Sequence, residues 1–287
     1  MRKVFEIEPR ESTVFLTSDI VYGYRIEFCN AQYIPLKLSI MKPRYYFPYD
    51  TKQVLPTIVF LCGGAWVEND KNVWLPELAW FAKRGYAVAS IQYAVTAKSR
   101  FPDNILNVKQ GIRFLRSHSE EFGIDTDRII LMGESAGGYL TSLCAATNNT
   151  RDFDKGDNLD QSSQITAAVA FYPPAEPGDI LRGKVEPTAG NPTPAVPPQF
   201  DMPADTFLYP SVVDYISKDT VPMLLLHGLA DDLVDPSNSE RIYKALQNAG
   251  VCSELFLVKD AGHADYRFIQ PEMKEQILAF MDEIIRK

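Results

Sequence analysis

The residues that decide the fold are 128–138, with the sequence RIILMGESAGG. Residues 129–132 are apolar at every position, which is typical of a strand buried on both faces of a parallel sheet. Residues 133–137 then have the pattern Gly-x-Ser-x-Gly, and residues 139–143 have a helical composition. A strand, a sharp turn and a helix in this order place the serine on a strained, exposed turn. The segment therefore predicts a parallel α/β sheet with Ser135 as a nucleophile at its edge.

Outside this segment the chain alternates between strand-like and helical patterns. Short apolar runs occur at residues 57–61, 87–91, 167–171, 223–226 and 255–258. Helical patterns lie at residues 76–84, 104–122, 240–248 and 272–285. The first 55 residues differ, because apolar and polar residues alternate at 21–28 and 33–40. We expect one α/β domain, residues 1–287, with a mostly parallel central sheet, helices on both faces and an N-terminal antiparallel β extension.

A proline-rich segment at about residues 173–212 interrupts this alternation. Between Pro173 and Pro210 lie ten of the chain's 20 prolines, with little apolar periodicity. Connections of this length are usually functional lids or surface excursions. We interpret the segment as a cap or lid over a pocket, with an inert excursion as the alternative.

Composition and charge exclude several classes of function. The net charge of −8 disfavours a nucleic-acid or anionic membrane partner, since both need a basic surface. No run of 18 apolar residues predicts a membrane span, and no apolar segment follows the basic start as in a signal peptide. Four scattered cysteines indicate free thiols, so a cytoplasmic location is expected. Three histidines without HxH or HxxxH spacing predict no metal site, and we expect no cofactor.

A serine nucleophile needs a base and an acid that orients the base. His263 follows the last strand-like run, in the sequence DAGHA, and is the expected base. The acid should lie between the serine and the histidine in the chain, after a strand. Asp231 is the first acidic residue there and is the expected acid, with Asp232 as the alternative. Asp235 precedes a proline and is interpreted as a turn or cap residue.

An oxyanion hole requires amide donors beside the nucleophile. Residues 62–66, CGGAW, follow the strand-like run 57–61 and have the composition of such a loop. We expect the amides of Gly64 and Ala65 to donate from one side and the amide of Ala136 from the other. The alternative is a tight turn that needs two glycines.

Together these motifs resemble the α/β-hydrolase superfamily over residues 55–287. Within it the chain is similar to esterases related to hormone-sensitive lipase and to bacterial acetyl-xylan and feruloyl-type carbohydrate esterases. CGGAW matches the family's HGGxW loop, GESAGG its GxSAGG turn, His227-Gly228-x-x-Asp231 its acid segment and Gly262-His263 its base. Cys62 departs from the family, because it stands where the family has histidine.

The resemblance implies a serine carboxylic ester hydrolase that acts through an acyl-Ser135 intermediate. It implies short-acyl esters as small-molecule substrates, acetylated sugars among them, with Trp66 and Glu134 shaping the substrate pocket. Related esterases often form dimers, so a homodimer is expected. The rival hypotheses are an amide-directed hydrolase of the formamidase or peptidase type and a non-catalytic binding protein with the same fold. The Cys62 replacement is the one feature that favours the non-catalytic hypothesis.

Overall fold

The computed structural model describes residues 1–8, 12–27, 32–44, 53–95, 99, 101–177 and 209–286. Of the predicted cap at about residues 173–212, residues 178–208 lie outside the described residues. Within the described ranges, no helix combines the length and apolar character that crossing a membrane requires.

A single sheet of eight strands organises the described residues. The spatial order of the strands is β1-β2-β4-β3-β5-β6-β7-β8, and β3 to β8 are all parallel to one another. The strands β1 and β2 form the predicted N-terminal antiparallel extension, and β2 also pairs with β4 in antiparallel fashion. The strands are β1 Thr13–Glu27, β2 Gln32–Arg44, β3 Leu55–Leu61, β4 Ala87–Ile91, β5 Ile124–Glu134, β6 Ala167–Phe171, β7 Met223–Gly228 and β8 Ser253–Val258.

Helices cover both faces of this sheet, as the alternating sequence pattern predicts. Helices α2, α4 and α5 pack on one face, and α1 and α6 pack on the other. The helices are α1 Leu75–Ala82, α2 Asp103–Ser117, α3 Ser119–Phe122, α4 Ala136–Ala146, α5 Ser237–Asn248 and α6 Pro271–Ile285, with 3₁₀ turns at Val212–Tyr215 and Tyr266–Ile269. The predicted fold class is therefore confirmed.

Strand β3 shows how the two cores form. Val59 and Leu61 point into the core under α2 and α4, whereas Ile58 and Phe60 point into the core under α1 and α6. All four side chains are buried. Successive side chains of a strand face opposite sides, so an uninterrupted apolar run serves both cores. Each such side chain contributes about 1.5–3 kcal/mol by leaving water.

The prediction of one continuous helix over residues 104–122 is wrong, because the structure divides this segment into α2 and α3. His118 lies between them with a non-helical backbone, φ −110° and ψ 22°. Its Nδ1 lies 2.9 Å from the Phe114 carbonyl and 2.8 Å from the Ser117 hydroxyl. Local side-chain contacts of this kind compete with helical hydrogen bonds.

The carboxyl ends of the parallel strands gather the chemistry-bearing residues at one edge. Cys62 follows β3, Ser135 follows β5, Tyr172 follows β6 and Asp231 lies three residues after β7. His263 follows β8 by five residues. Clefts at this edge are the usual ligand sites of open α/β sheets.

A very close backbone contact joins β3 to the start of α4. A Cβ atom on Gly137 would lie only 2.1 Å from the carbonyl oxygen of Leu61. The strand pairing aligns Leu61 with Gly133, so the loop after β3 and the turn after β5 lie side by side. The absence of a side chain at position 137 is therefore a condition of the fold.

We expect Gly137→Ala to destabilise the protein by about 1–3 kcal/mol, because the added methyl group must displace backbone atoms. In an ordinary helix the same change stabilises by about 1 kcal/mol, so the sign of the effect is the test. The free energy of unfolding in urea measures it. Gly262→Ala is the control, since its Cβ would meet nothing closer than 3.8 Å. Equal stability of the two variants would contradict the prediction.

Candidate active site

Ser135 occupies a strained turn between β5 and α4. Its backbone has φ 54° and ψ −118°, a region that side chains rarely occupy and that costs on the order of 1–3 kcal/mol. The Ser135 amide donates to the Phe171 carbonyl at 3.0 Å, and the Tyr139 amide donates to the Ser135 carbonyl at 2.9 Å. These bonds hold the turn and leave the hydroxyl partly exposed in the cleft.

The three residues predicted as nucleophile, base and acid lie in one hydrogen-bonded chain. His263 Nε2 is 2.9 Å from Ser135 Oγ, and His263 Nδ1 is 2.8 Å from Asp231 Oδ2. The imidazole is 14% exposed, whereas the carboxylate is fully buried. The structure thus brings together residues that are up to 128 positions apart in the chain.

Asp231 is fixed by donors on both of its oxygens. Its Oδ1 accepts the amides of Leu233 at 3.0 Å and Val234 at 2.9 Å, and its Oδ2 accepts from His263. Burial pushes the pKa of Asp231 upward, but hydrogen bonds from His227 and His263 outweigh it and hold that pKa well below its usual range. The carboxylate is therefore charged throughout the neutral and mildly acidic range.

A second histidine, His227, lies against the same carboxylate. Its imidazole is fully buried, and its Nε2 is 2.8 Å from the Val234 carbonyl and 3.3 Å from Asp231 Oδ2. A carbonyl only accepts, so Nε2 carries a hydrogen that both oxygens share. Its Nδ1 then accepts from the Ser239 hydroxyl at 2.6 Å. The motif His227-Gly228-x-x-Asp231 places this residue four positions before the acid, but it does not show that the imidazole contacts the carboxylate.

The loop after β3 presents the predicted oxyanion donors. Ala65 and Trp66 both have left-handed backbones, with φ 51° and 59°, and the Gly64 carbonyl accepts the amides of residues 67 and 68. In the described part of the chain, the amides of Gly64 and Ala65 donate to no acceptor. Ala136 is the first residue of α4, where amides lack intrahelical partners and the helix dipole favours negative charge.

Glu134, predicted as a pocket residue, is buried directly behind this loop. Its Oε1 accepts the Gly63 amide, the Trp74 indole N–H at 3.2 Å and the Cys62 thiol at 3.8 Å. Burial raises the pKa of Glu134, and these donors offset only part of that effect. Its carboxyl group faces the oxyanion loop as well as the cleft wall.

Trp66, the other predicted pocket residue, is 1% exposed. Its ring packs against the rings of Tyr139 and Tyr209, with centroids 5.7 Å and 5.5 Å away. The large aromatic surface therefore supports the oxyanion loop from inside the core. Contact between this ring and a substrate stays a prediction.

Tyr172 is a site residue that the sequence motifs did not indicate. Its ring stands edge-on to the His263 imidazole, with centroids 4.6 Å apart. A small cavity of about 40 Å³ lies beside it and includes Phe171, Phe268 and Glu134 in its wall. The only signal in the sequence was its position directly after the apolar run at residues 167–171.

Cys62 lies at the start of the oxyanion loop with its side chain buried. Burial, together with the nearby Glu134 carboxylate, raises the pKa of the Cys62 thiol to about 12. A thiol in this state is a poor nucleophile, because the reactive form is the thiolate. Cys62 therefore does not compete with Ser135 for the role of nucleophile.

The sheet order, the strained serine turn and the hydrogen-bonded serine, histidine and aspartate define the α/β-hydrolase class. The chain belongs to the BD-FAE family, whose model matches residues 45–246. The resemblance drawn from the motifs is thereby confirmed.

Among curated proteins, the chain is 31% identical over 189 residues to the probable carboxylic ester hydrolase LipM of Mycobacterium tuberculosis, covering 64% of this chain and 43% of LipM. It is 26% identical over 247 residues to the isoprenylcysteine alpha-carbonyl methylesterase ICME of Arabidopsis thaliana, covering 84% of this chain and 57% of ICME. The chain thus spans about half the length of the curated relatives it matches.

Solved structures show the same fold. A truncated carbohydrate esterase from gut microbiota has a TM-score of 0.73 at 22% identity, covering 96% of this chain and 98% of that one. Thermogutta terrifontis esterase 2, in a form phosphoramylated by tabun, has a TM-score of 0.71 at 25% identity, covering 94% of both chains.

The neighbouring aspartates allow a matched test of the acid. We expect Asp231→Asn to lower kcat by roughly 10³- to 10⁴-fold, because an amide N–H facing His263 favours the wrong imidazole tautomer. Steady-state hydrolysis of p-nitrophenyl acetate measures the loss. Asp232→Asn is the control, since Asp232 is solvent-exposed and should leave kcat near that of the wild type. A large loss in Asp232→Asn alone would assign the acid to Asp232 instead.

Proposed function

We propose that the protein is a serine carboxylic ester hydrolase. The observation that carries this proposal is the continuous hydrogen-bonded chain from Ser135 Oγ through His263 to the buried Asp231 carboxylate. Such a chain supplies the base that a serine hydroxyl needs to become a nucleophile at neutral pH. Membership of the BD-FAE family and the similarity to proteins described as esterases support the same proposal.

In the acylation step, His263 Nε2 takes the proton of the Ser135 hydroxyl as Oγ attacks the ester carbonyl carbon. The carbonyl π electrons move to oxygen, and the amides of Gly64, Ala65 and Ala136 bind the resulting oxyanion. The ester C–O bond then breaks, and His263 gives its proton to the departing alcohol. Removing one oxyanion donor from a hydrolase costs roughly 10²- to 10³-fold in kcat, so these amides supply a substantial part of the catalysis.

In the deacylation step, water takes the place of the alcohol. His263 accepts a proton from this water as it attacks the acyl-Ser135 carbonyl, and the acid leaves when the Ser135 Oγ bond breaks and Oγ regains the proton. Asp231 stays ionised through both steps and stabilises the imidazolium that forms transiently. Its low pKa is the property that allows this at neutral pH.

For the substrate, we propose short-acyl esters, with acetylated sugars as the first class to examine. The cavity of about 40 Å³ beside Tyr172 is small and walled mainly by apolar side chains, which suits a short apolar acyl group. The similarity to a protein described as a carbohydrate esterase supports a sugar as the alcohol part. A homodimer and a cytoplasmic location stay predictions from the sequence.

A fluorophosphonate probe tests the enzyme proposal directly. We expect one covalent label per chain on Ser135 in the wild type and none in Ser135→Ala, because the probe reports an activated serine. Intact mass spectrometry and peptide mapping give the stoichiometry and the site. Absence of labelling, or labelling that survives in Ser135→Ala, would favour the non-catalytic hypothesis.

Chain-length dependence tests the substrate class. We expect kcat/KM on p-nitrophenyl esters to fall by roughly ten-fold or more between the two-carbon and eight-carbon acyl groups, because a longer chain exceeds the small cavity. Acetylated xylo-oligosaccharides and N-formylkynurenine, assayed in parallel, separate sugar ester from amide substrates. A preference for the eight-carbon ester, or turnover of the formamide alone, would contradict the short-acyl proposal.

A further inference from the structure

The mechanism above leaves unused one buried acidic group, Glu134. It directly precedes the nucleophile, and its side chain is only 8% exposed. Among the ion pairs of the described residues, Glu134 has no lysine or arginine partner, and the nearby Lys274 pairs with Glu77 at 2.5 Å. Burying a carboxylate without a cation is costly unless hydrogen bonds compensate it. Hydrogen-bond donors from residues 62–74, a distant part of the chain, compensate the burial of Glu134.

Those donors converge on one oxygen, Oε1. The Gly63 amide, the Trp74 indole and the Cys62 thiol all point at it. Two of the three belong to the oxyanion loop, which we define as residues 62–68. The approach is so close that a Cβ atom on Gly63 would lie 2.6 Å from both carboxylate oxygens. Position 63 therefore needs glycine because Glu134 occupies the space of a side chain.

Two other side chains bind this loop through one carbonyl oxygen, that of Cys62. The Tyr93 hydroxyl donates to the Cys62 carbonyl at 2.5 Å, and the Asn69 amide group donates to the same carbonyl at 3.3 Å. The Glu134 contact instead holds a backbone amide, that of Gly63. Because Gly64 and Ala65 follow it directly, the direction of their free amides depends on how the Gly63 peptide is oriented.

We propose that Glu134 is a positioning residue that orients the oxyanion loop relative to the nucleophile. Glu134 then fixes the nucleophile and the oxyanion donors relative to each other. Its backbone directly precedes Ser135, and its carboxylate holds Gly63, the residue before the donor Gly64. This inference rests on the proposed function for its catalytic consequence. Its structural part, the anchoring of residues 62–68, does not depend on activity.

The three donors to Glu134 differ in strength, and the Cys62 thiol is the weakest of them. At 3.8 Å, Cys62 Sγ is a poor donor to Glu134, and thiols are weak donors in general. Among these three donors, the N–H groups of Gly63 and Trp74 therefore supply most of the binding. Hydrogen bonds to a charged group are worth on the order of ten- to a hundred-fold in an equilibrium constant, which is enough to fix a short loop.

Hydrogen–deuterium exchange tests the anchoring without any substrate. In Glu134→Ala, we expect exchange in peptides covering residues 62–68 to accelerate roughly ten-fold or more, while peptides covering β6 stay at the wild-type rate. Glu134→Gln, which keeps an acceptor oxygen but no charge, should give a smaller acceleration. Asp282→Asn is the matched control, because it neutralises a carboxylate that accepts a side-chain hydrogen bond, from the Tyr86 hydroxyl at 2.7 Å, outside both the loop and the cavity wall.

Kinetics on p-nitrophenyl acetate tests the catalytic consequence. We expect kcat of Glu134→Ala to fall by roughly 10²-fold and KM to change little, because misdirected amides bind the transition state less well but not the ester. Trp74→Phe, which removes one donor from the same oxygen, should fall in kcat by a smaller factor. Asp282→Asn should keep the kcat of the wild type. A variant that merely unfolds would show faster exchange in β6 as well.

The outcomes separate cleanly. Unchanged exchange at residues 62–68 in Glu134→Ala overturns the anchoring, whatever the activity. Faster exchange with an unchanged kcat overturns the positioning role and leaves the proposed function intact. If the wild type hydrolyses no ester and binds no fluorophosphonate, the proposed function fails, and the exchange result alone then decides whether Glu134 anchors the loop.

Discussion

The site depends on one close approach between two backbones. Gly137, in the first turn of α4, lies against the Leu61 carbonyl at the end of β3, with no room for a side chain between them. This contact places the loop after β3 next to the turn after β5. The serine, the helix N-terminus and the oxyanion loop can meet only because these two chain segments touch. Strand register, Leu61 opposite Gly133, provides the alignment, and the glycine permits the contact.

Two buried carboxylates flank the cleft, and their pKa values are shifted in opposite directions. Asp231 accepts two backbone amides and lies against two imidazoles, so hydrogen bonding dominates and its pKa is low. Glu134 accepts one backbone amide where Asp231 accepts two, and burial is the dominant effect on its pKa, which is raised. The first arrangement suits a group that must stay charged beside a base. The second suits a group that positions the residues that donate hydrogen bonds to it.

Much of this arrangement could be predicted from the sequence, because it follows from short-range patterns. Continuous apolar runs indicated the parallel strands, and the order of motifs brought Ser135, Asp231 and His263 to attention. The other contacts depend on how distant segments pack. Tyr172 meets His263 only because β6 ends beside β5, and no local pattern records that. Glu134 was noticed as a pocket residue, but its grip on Gly63 requires the folded loop. Likewise, the break at His118 reflects side-chain contacts that overrode an otherwise helical pattern.

The grip on the Cys62 carbonyl bears on how this loop can change over evolutionary time. Tyr93 and Asn69 hold the main chain at position 62, and Glu134 holds the main chain at position 63, so the side chain at position 62 contributes little. A histidine there, as in the pattern HGGxW, and the cysteine found here can both sit on the same peptide scaffold. The side chain at position 62 is thus less constrained than the two glycines that follow it, where an added Cβ atom would meet other atoms at 2.6 Å or closer. A mismatch to the family motif at this residue is therefore a poor criterion for judging a relative inactive.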